Sequence, residues 1–173
     1  ITLSGQLSIR WIETALNKYF NKLLETDGAN YVIASDTDSV YLNLSKLVDK
    51  VFGERVHLPQ DEGGVSKERI VKFLDRVANE KLEPFIDKSY KDLADYMNAY
   101  EQKMFMKREV IADRGIWTAK KRYILNVHNS EGVQYDEPKL KIMGLEVVKS
   151  STPAPVRVML KDAIKVIVNG SND

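Results

Sequence analysis

The chain has 173 residues, a length that suits one folded domain or one plus part of a second. Its 26 Lys and Arg nearly balance its 25 Asp and Glu. It has no cysteine and two histidines, so disulfide scaffolds and thiolate metal sites are excluded, and any metal is expected to be a hard cation held by oxygen ligands. No apolar run approaches the roughly 20 residues of a membrane helix, so we expect no contact with a membrane. The chain opens at Ile1 within an apolar pattern, which predicts a piece of a longer protein.

The charges are unevenly distributed along the chain. Residues 1–100 hold 13 basic against 16 acidic side chains, whereas residues 101–173 hold 13 against 9. Residues 114–130 contain four basic side chains and no acid. Such a stretch indicates a surface for an anionic partner, with a solvated basic face as the alternative interpretation.

The first half of the chain predicts helices around one hairpin. Apolar residues spaced near 3.6 positions predict a helix from Ser4 that ends near Gly28, where glycine suits a left-handed cap. Two β-type runs within residues 31–42, separated by turn residues, predict a hairpin. A second amphipathic helix is expected after Ser66, which can cap it.

The next segment predicts another helix and then strands. Pro84 is expected to break the second helix and start a third, whose apolar stripe continues over residues 86–100. After that the period changes to two, which predicts three strands over residues 104–111, 116–127 and 133–135.

The last apolar stripe, from Val156 to Ile167, predicts an amphipathic helix that stops by Gly170. Helices and strands follow one another in blocks, and neighbouring strands have short connections. The pattern predicts an α+β fold in which helices pack on one face of an antiparallel sheet.

Asp36 and Asp38 are the strongest chemical signal in the sequence. Two carboxylates at i and i+2 on an extended strand point to the same side, so both can converge on one place. At the tip of the predicted hairpin they repel each other unless cations lie between them. Oxygen-only sites of this kind suit Mg²⁺. The alternative is a simple turn, because Asp, Thr and Ser are favoured turn residues, but apolar runs flank the acids on both sides.

Several blocks of the sequence, in order, resemble one protein family. Ser-Asp-Thr-Asp-Ser-Val-Tyr at residues 35–41 resembles the palm signature of family B DNA polymerases. Thr-Ala-Lys-Lys-Arg-Tyr at residues 118–123 is similar to their Lys-Lys-Arg-Tyr motif. Residues 137–146 and 149–153 resemble the palm-to-thumb passage of T-even-type bacteriophage polymerases, and residues 104–109 resemble their inner palm strand.

The resemblance implies a role for each matching side chain. Asp38 matches the carboxylate that binds the catalytic metal ions beside the primer end, Asp36 matches its partner, and Glu109 matches an accessory acid near the metals. The residues that match a DNA-binding role are Lys120, Lys121, Arg122, Tyr123, Lys139, Lys141, Lys149 and Ser150. Alternation along the predicted strand at 116–127 places Lys121 and Tyr123 on one face.

The implied activity is that of a DNA-directed DNA polymerase. The primer 3′ oxygen attacks the α-phosphorus of a dNTP and pyrophosphate leaves, with two Mg²⁺ ions stabilising the attacking and leaving oxygens. The implied partners are primer–template DNA, dNTP and the remaining palm, fingers and exonuclease parts of the polymerase. The implied location is the cytoplasm of an infected bacterial host.

Some motifs of the family have no match in the sequence, namely the Ser-Leu-Tyr-Pro-Ser palm motif with its second metal ligand, the finger helix and the exonuclease domain. The implied architecture is a partial palm domain over residues 1–149 and the start of a thumb domain over residues 150–173. We therefore expect an incomplete two-metal site and no activity of the chain alone. Two other interpretations stay open: a non-catalytic duplex-DNA or partner-binding module, and one subunit of a split polymerase.

Overall fold

The computed structural model describes residues 2–170. The α-helices are α1 (Thr2–Leu24), α2 (Ser45–Phe52), α3 (Lys67–Val77), α4 (Glu83–Tyr96) and α5 (Ala154–Asn169). The strands are β1 (Val32–Asp36), β2 (Ser39–Leu42), β3 (Val110–Ala119), β4 (Arg122–Ser130) and β5 (Val133–Met143). The chain divides between residues 108 and 109 into two compact units. Helices together with antiparallel strands confirm the predicted α+β class.

The first unit is built around α1. Ile12, Leu16 and Phe20 lie on one face of this helix and are fully buried, in one apolar cluster with Leu93 of α4. Spacings of four residues bring such side chains onto one face, which is why the sequence pattern predicted the helix. The expected end near Gly28 is wrong, because α1 ends at Leu24. The residue that follows the helix, Glu25, already has a φ of 56°, and Gly28 has a φ of 65° in the connection to β1.

Two further helical features differ from the prediction. Pro84 does not break the chain, because α3 continues through a five-residue π-helical turn, Ala78–Leu82, into α4. Proline lies in the first turn of α4, where an N–H has no intrahelical partner to lose. The expected stripe to Tyr100 is also too long, since α4 ends at Tyr96 and Tyr100 is fully exposed. Helix α2 was not predicted.

The second unit contains a meander with the strand order β3–β4–β5, antiparallel throughout. The expected strand at residues 116–127 is wrong, because it contains a turn at Lys120 and Lys121 that separates β3 from β4. Lys121 has a φ of 61°, an unusual value for a residue with a side chain. The strand expected at 104–111 begins only at Val110, and β5 continues beyond residue 135 to Met143.

Helix α5 is confirmed, but its predicted apolar stripe is not the face that packs against the rest of the second unit. Val168 is buried, and Arg114 of β3 donates hydrogen bonds to the carbonyl oxygens of Val168 (2.6 Å) and Gly170 (2.7 Å). Met159 and Ile167, on the predicted stripe, are 71% and 66% exposed. None of the helices in the described part of the chain combines the length and apolarity that a membrane span requires.

Truncation of the α1 core should destabilise the first unit strongly. Leu16→Ala removes a fully buried side chain and leaves a cavity, so we expect a loss of about 2–5 kcal/mol in the free energy of unfolding. Leu3→Ala on the same helix is the matched control, because Leu3 is 80% exposed. Urea unfolding followed by circular dichroism measures both, and equal losses for the two variants would contradict the described core.

Candidate functional site

The hairpin of β1 and β2 presents the two predicted acids at its tip. Asp36 pairs with Ser39, so Thr37 and Asp38 form a two-residue turn. One carboxylate oxygen of Asp36 accepts hydrogen bonds from the Thr37 backbone N–H (2.7 Å) and hydroxyl (3.2 Å). Asp38 is exposed. The predicted position of both acids at the tip of a hairpin is confirmed. Their expected arrangement on one extended strand is wrong, because Asp38 lies in the turn.

The hairpin is attached to α1 by polar contacts that the sequence did not predict. The side-chain oxygen of Asn17 accepts hydrogen bonds from the backbone N–H groups of Tyr31 (2.7 Å) and Val32 (3.1 Å). The Tyr31 ring is buried with its centroid 5.4 Å from that of Phe20. Asparagine is a poor helix former, but nothing in the spacing of Asn17 indicated this contact. These contacts fix the base of the hairpin.

The two acids supply only part of a metal site. Carboxylate oxygens are the donors that a hard cation requires, so their chemistry fits Mg²⁺. Within residues 2–170, however, no three His, Asp or Glu side chains are grouped closely enough to hold a metal ion. Asp38 is the more accessible of the pair, because it is exposed whereas Asp36 is half-buried. One oxygen of Asp36 also accepts two hydrogen bonds already.

The predicted basic motif lies at one end of the meander. Lys120 and Lys121 form the turn and are exposed, and Arg122 begins β4. Tyr123 is only 6% exposed, and its ring centroid lies 6.5 Å from that of Trp117 on β3. The expectation that Lys121 and Tyr123 share a face of one strand is therefore wrong, since one is in the turn and the other is in the sheet. Their DNA-contact roles stay predictions.

Lys149 and Arg122 both lie close to the carboxylate of Glu146 at this end of the meander. The Glu146 carboxylate accepts a hydrogen bond from Lys149 (2.5 Å) and lies 3.6 Å from the Arg122 guanidinium. The hydrogen bond from Lys149 and the charges of both cations hold the pKa of Glu146 below its ordinary value, against a smaller opposing effect of burial. The sequence motif contained Glu146, but nothing in the spacing indicated that it would join the two cations.

The other predicted basic residues lie on β5 and beyond. The Lys141 ammonium is 3.3 Å from the Glu109 carboxylate, so the acid with a predicted accessory role pairs with a predicted DNA-binding residue. The Lys139 ammonium lies 4.1 Å from the centre of the Tyr135 ring, a cation–π contact. Ser150 is exposed. The structure thus brings Arg122 and Lys149 together near one acid, whereas Lys139 and Lys141 lie within β5.

A polar cluster on the meander, in which Asn126 and His128 are buried, was also not predicted. Asp113 accepts a hydrogen bond from Asn126 (2.8 Å), and its other carboxylate oxygen lies 3.2 Å from Nε2 of His128. Asp113 and His128 both lie at register shifts in the pairing of β3 with β4. Bulges of this kind re-aim side chains, which explains why residues out of regular register meet.

Comparison with known proteins shows what the chain is similar to. No protein-family model matches it. It is 44% identical over 177 aligned residues to the DNA-directed DNA polymerase of Escherichia phage RB69, an alignment that covers 95% of this chain and 18% of that polymerase. It is 40% identical over 176 aligned residues to the DNA-directed DNA polymerase of Enterobacteria phage T4, covering 97% of this chain and 19% of that protein.

These alignments confirm the resemblance that the ordered motifs predicted, to the family B DNA polymerases of T-even-like phages. The chain corresponds to one segment of those proteins and spans less than a fifth of the length of the curated relatives it matches.

The chain alone should bind divalent cations weakly. Mg²⁺ gives up its waters reluctantly, and the hairpin tip offers two carboxylates without substrate phosphates. Isothermal titration calorimetry with Mg²⁺ and Mn²⁺ is expected to show a dissociation constant in the millimolar range or none, and Asp38→Asn is expected to remove any signal. A tight site, or one that survives Asp38→Asn, would show that other residues form it.

Proposed function

We propose that the chain works as part of the nucleotidyl-transferring centre of a DNA-directed DNA polymerase, in the cytoplasm of an infected bacterial host. The observation that carries this proposal is the alignment with two phage DNA polymerases along at least 95% of the chain. The acidic hairpin and the basic end of the meander support it, because the reaction needs a cation site and a phosphate-binding surface. Residues 1–149 would belong to the palm and residues 150–173 to the start of the thumb.

Asp38, with Asp36, would hold Mg²⁺ in the complete polymerase. Bound Mg²⁺ would stabilise the negative charge on the attacking and leaving oxygens of the transfer. The contribution of this chain is to fix its carboxylates in place. Asp36 is oriented by the N–H and hydroxyl of Thr37, and the short β1–β2 turn keeps Asp38 beside it. A pair of preorganised charges needs little rearrangement as the reaction proceeds.

The basic residues would position primer–template DNA without reading its sequence. Exposed cations at Lys120, Lys121 and Arg122 suit contacts with the phosphate backbone, which fix register and orientation. Lys149 and Ser150 would extend this surface, because Glu146 connects Lys149 with Arg122. Besides DNA, the partners of the chain would be a dNTP and the remaining palm, fingers and exonuclease parts of the polymerase.

A non-catalytic duplex-binding module is the second candidate. One observation favours it: the basic residues lie in the second compact unit, whereas the two acids lie in the first. Duplex binding by the second unit requires neither the acids nor a metal ion. A subunit of a split polymerase would differ from this module in regaining synthesis when the other polymerase parts are supplied.

Duplex binding by the chain should be weak and strongly dependent on salt. Replacement of Lys121 and Arg122 by alanine is expected to weaken binding and to reduce the slope of log K against log salt by about 1 to 2, since about 0.9 counterion is released per phosphate contact. Lys18→Ala with Lys22→Ala, on exposed positions of α1, removes the same charge elsewhere. Fluorescence anisotropy with a labelled primer–template measures all three proteins. Equal effects of the two double variants would contradict the assigned surface.

Primer extension should require the rest of a polymerase. The isolated chain is expected to show no synthesis, because it offers carboxylates from the hairpin alone. Exchange of this chain for the matching segment of the phage RB69 polymerase should give a chimera that extends a primer. In that chimera, Asp38→Asn is expected to reduce extension by about 100-fold or more, in the range found when a stabilising group of the transition state is removed.

Asp27→Asn is the matched control for this experiment, because Asp27 is exposed in the connection before β1 and is not at the hairpin tip. Duplex binding by the Asp38→Asn chimera should stay close to that of the parent chimera. Robust synthesis by the isolated chain, or an active Asp38→Asn chimera, would contradict the proposed role of the hairpin.

A further inference from the structure

The Glu146 carboxylate lies between two cations that the proposed function assigns to DNA. Its oxygen is 2.5 Å from the Lys149 ammonium and 3.6 Å from the Arg122 guanidinium. Arg122 begins β4, and Lys149 follows the meander, so residues distant in sequence share one acid. A carboxylate and a DNA phosphate are both anionic acceptors for such groups.

The backbone around Glu146 is firmly attached to the end of the meander. Val147 is only 2% exposed, and the Thr152 hydroxyl donates a hydrogen bond to the Glu146 carbonyl oxygen at 2.7 Å. Gly144 has a φ of 68°, and a Cβ added there would lie 2.2 Å from the Lys121 carbonyl oxygen. Only glycine allows this approach of the segment to the β3–β4 turn. Glu146 is therefore held beside the basic residues by the fold.

We propose that Glu146 competes with DNA phosphate for Arg122 and Lys149, and so limits how tightly this part of the polymerase holds duplex DNA. The inference rests on the proposed function, because it assumes that these two cations contact DNA. It assigns Glu146 a role in limiting DNA affinity and no contact with the reacting atoms.

The strength of the ion pairs suits competition. The side chains of Glu146, Lys149 and Arg122 are 60%, 42% and 47% exposed. Ion pairs as exposed as these contribute little to stability, so a phosphate can displace the carboxylate without a large cost. The lowered pKa of Glu146 keeps the carboxylate charged near neutral pH. Each phosphate contact must then replace an existing internal contact, which reduces the net gain on binding.

Glu146→Gln tests the inference because it removes the charge and retains the size of the side chain. The control is Glu131→Gln, which makes the same change in net charge at the opposite end of β4. Both proteins and the parent chain are titrated against a labelled duplex by fluorescence anisotropy, from about 50 to about 200 mM salt, the range over which phosphate contacts lose affinity. Circular dichroism establishes that both variants are folded.

Glu146→Gln is expected to bind the duplex about 3- to 10-fold more tightly than the parent and to increase the salt slope by about 1, as released cations gain phosphate contacts. Glu131→Gln is expected to change affinity by less than about 2-fold, because its charge is distant from the basic residues and screened. In the double variant Glu146→Gln with Lys149→Ala, most of the gain should disappear, because the released cation is absent.

The other possible results contradict either the role of Glu146 or the DNA-binding part of the proposed function. If Glu146→Gln binds like the parent, or no better than Glu131→Gln, Glu146 does not compete with phosphate. If Glu146→Gln binds more weakly, the acid orients the cations for DNA, which is the opposite role. If the parent chain binds duplex and only the Glu146 effect is missing, the inference fails and the proposed function stands. If neither the parent nor either variant binds, the DNA-binding part of the proposed function fails with it.

Discussion

The hairpin that carries Asp36 and Asp38 depends on α1 for its position. A two-stranded hairpin is at best marginally stable by itself in water. Here the side chain of Asn17 accepts two backbone hydrogen bonds at the start of β1, and the Tyr31 ring lies in the apolar cluster of α1. The buried face of α1 thus supports the hairpin that carries the acids. A change that disrupts the core of the first unit is therefore expected to displace the two carboxylates as well.

The elements that could be predicted from the sequence are those with a complete local signal. Helix α1 has an apolar stripe, helix α3 has Ser66 as its cap, and the β1–β2 hairpin has apolar runs on both sides of turn residues. The acids at the hairpin tip were predictable for the same reason. The contact of Asn17 with the hairpin was not, because it joins residues 14 and 15 positions apart through a side chain that has no periodic signature.

Other features escaped prediction because their determinants are not local. The β3–β4 turn contains two lysines in place of the Gly, Asn or Asp that turns with positive φ favour. The alternating pattern therefore predicted one continuous strand across the turn. The stripe on α5 predicts a helix correctly, but periodicity identifies an apolar face and not what covers it. In this unit Val168 is buried, while Met159 and Ile167 face outward.

The charge of the folded surface also differs from the charge counted along the sequence. Residues 114–130 contain basic side chains without an acid, yet Arg122 lies near Glu146, which also neutralises Lys149, and Glu109 pairs with Lys141. Under the proposed function, the field that a DNA backbone would meet depends on these pairs, since an ion-paired cation offers less to a phosphate than a solvated one. On this proposal the basic motif would define where a polyanion binds, whereas the acids that the fold places beside the motif would define how firmly it is held.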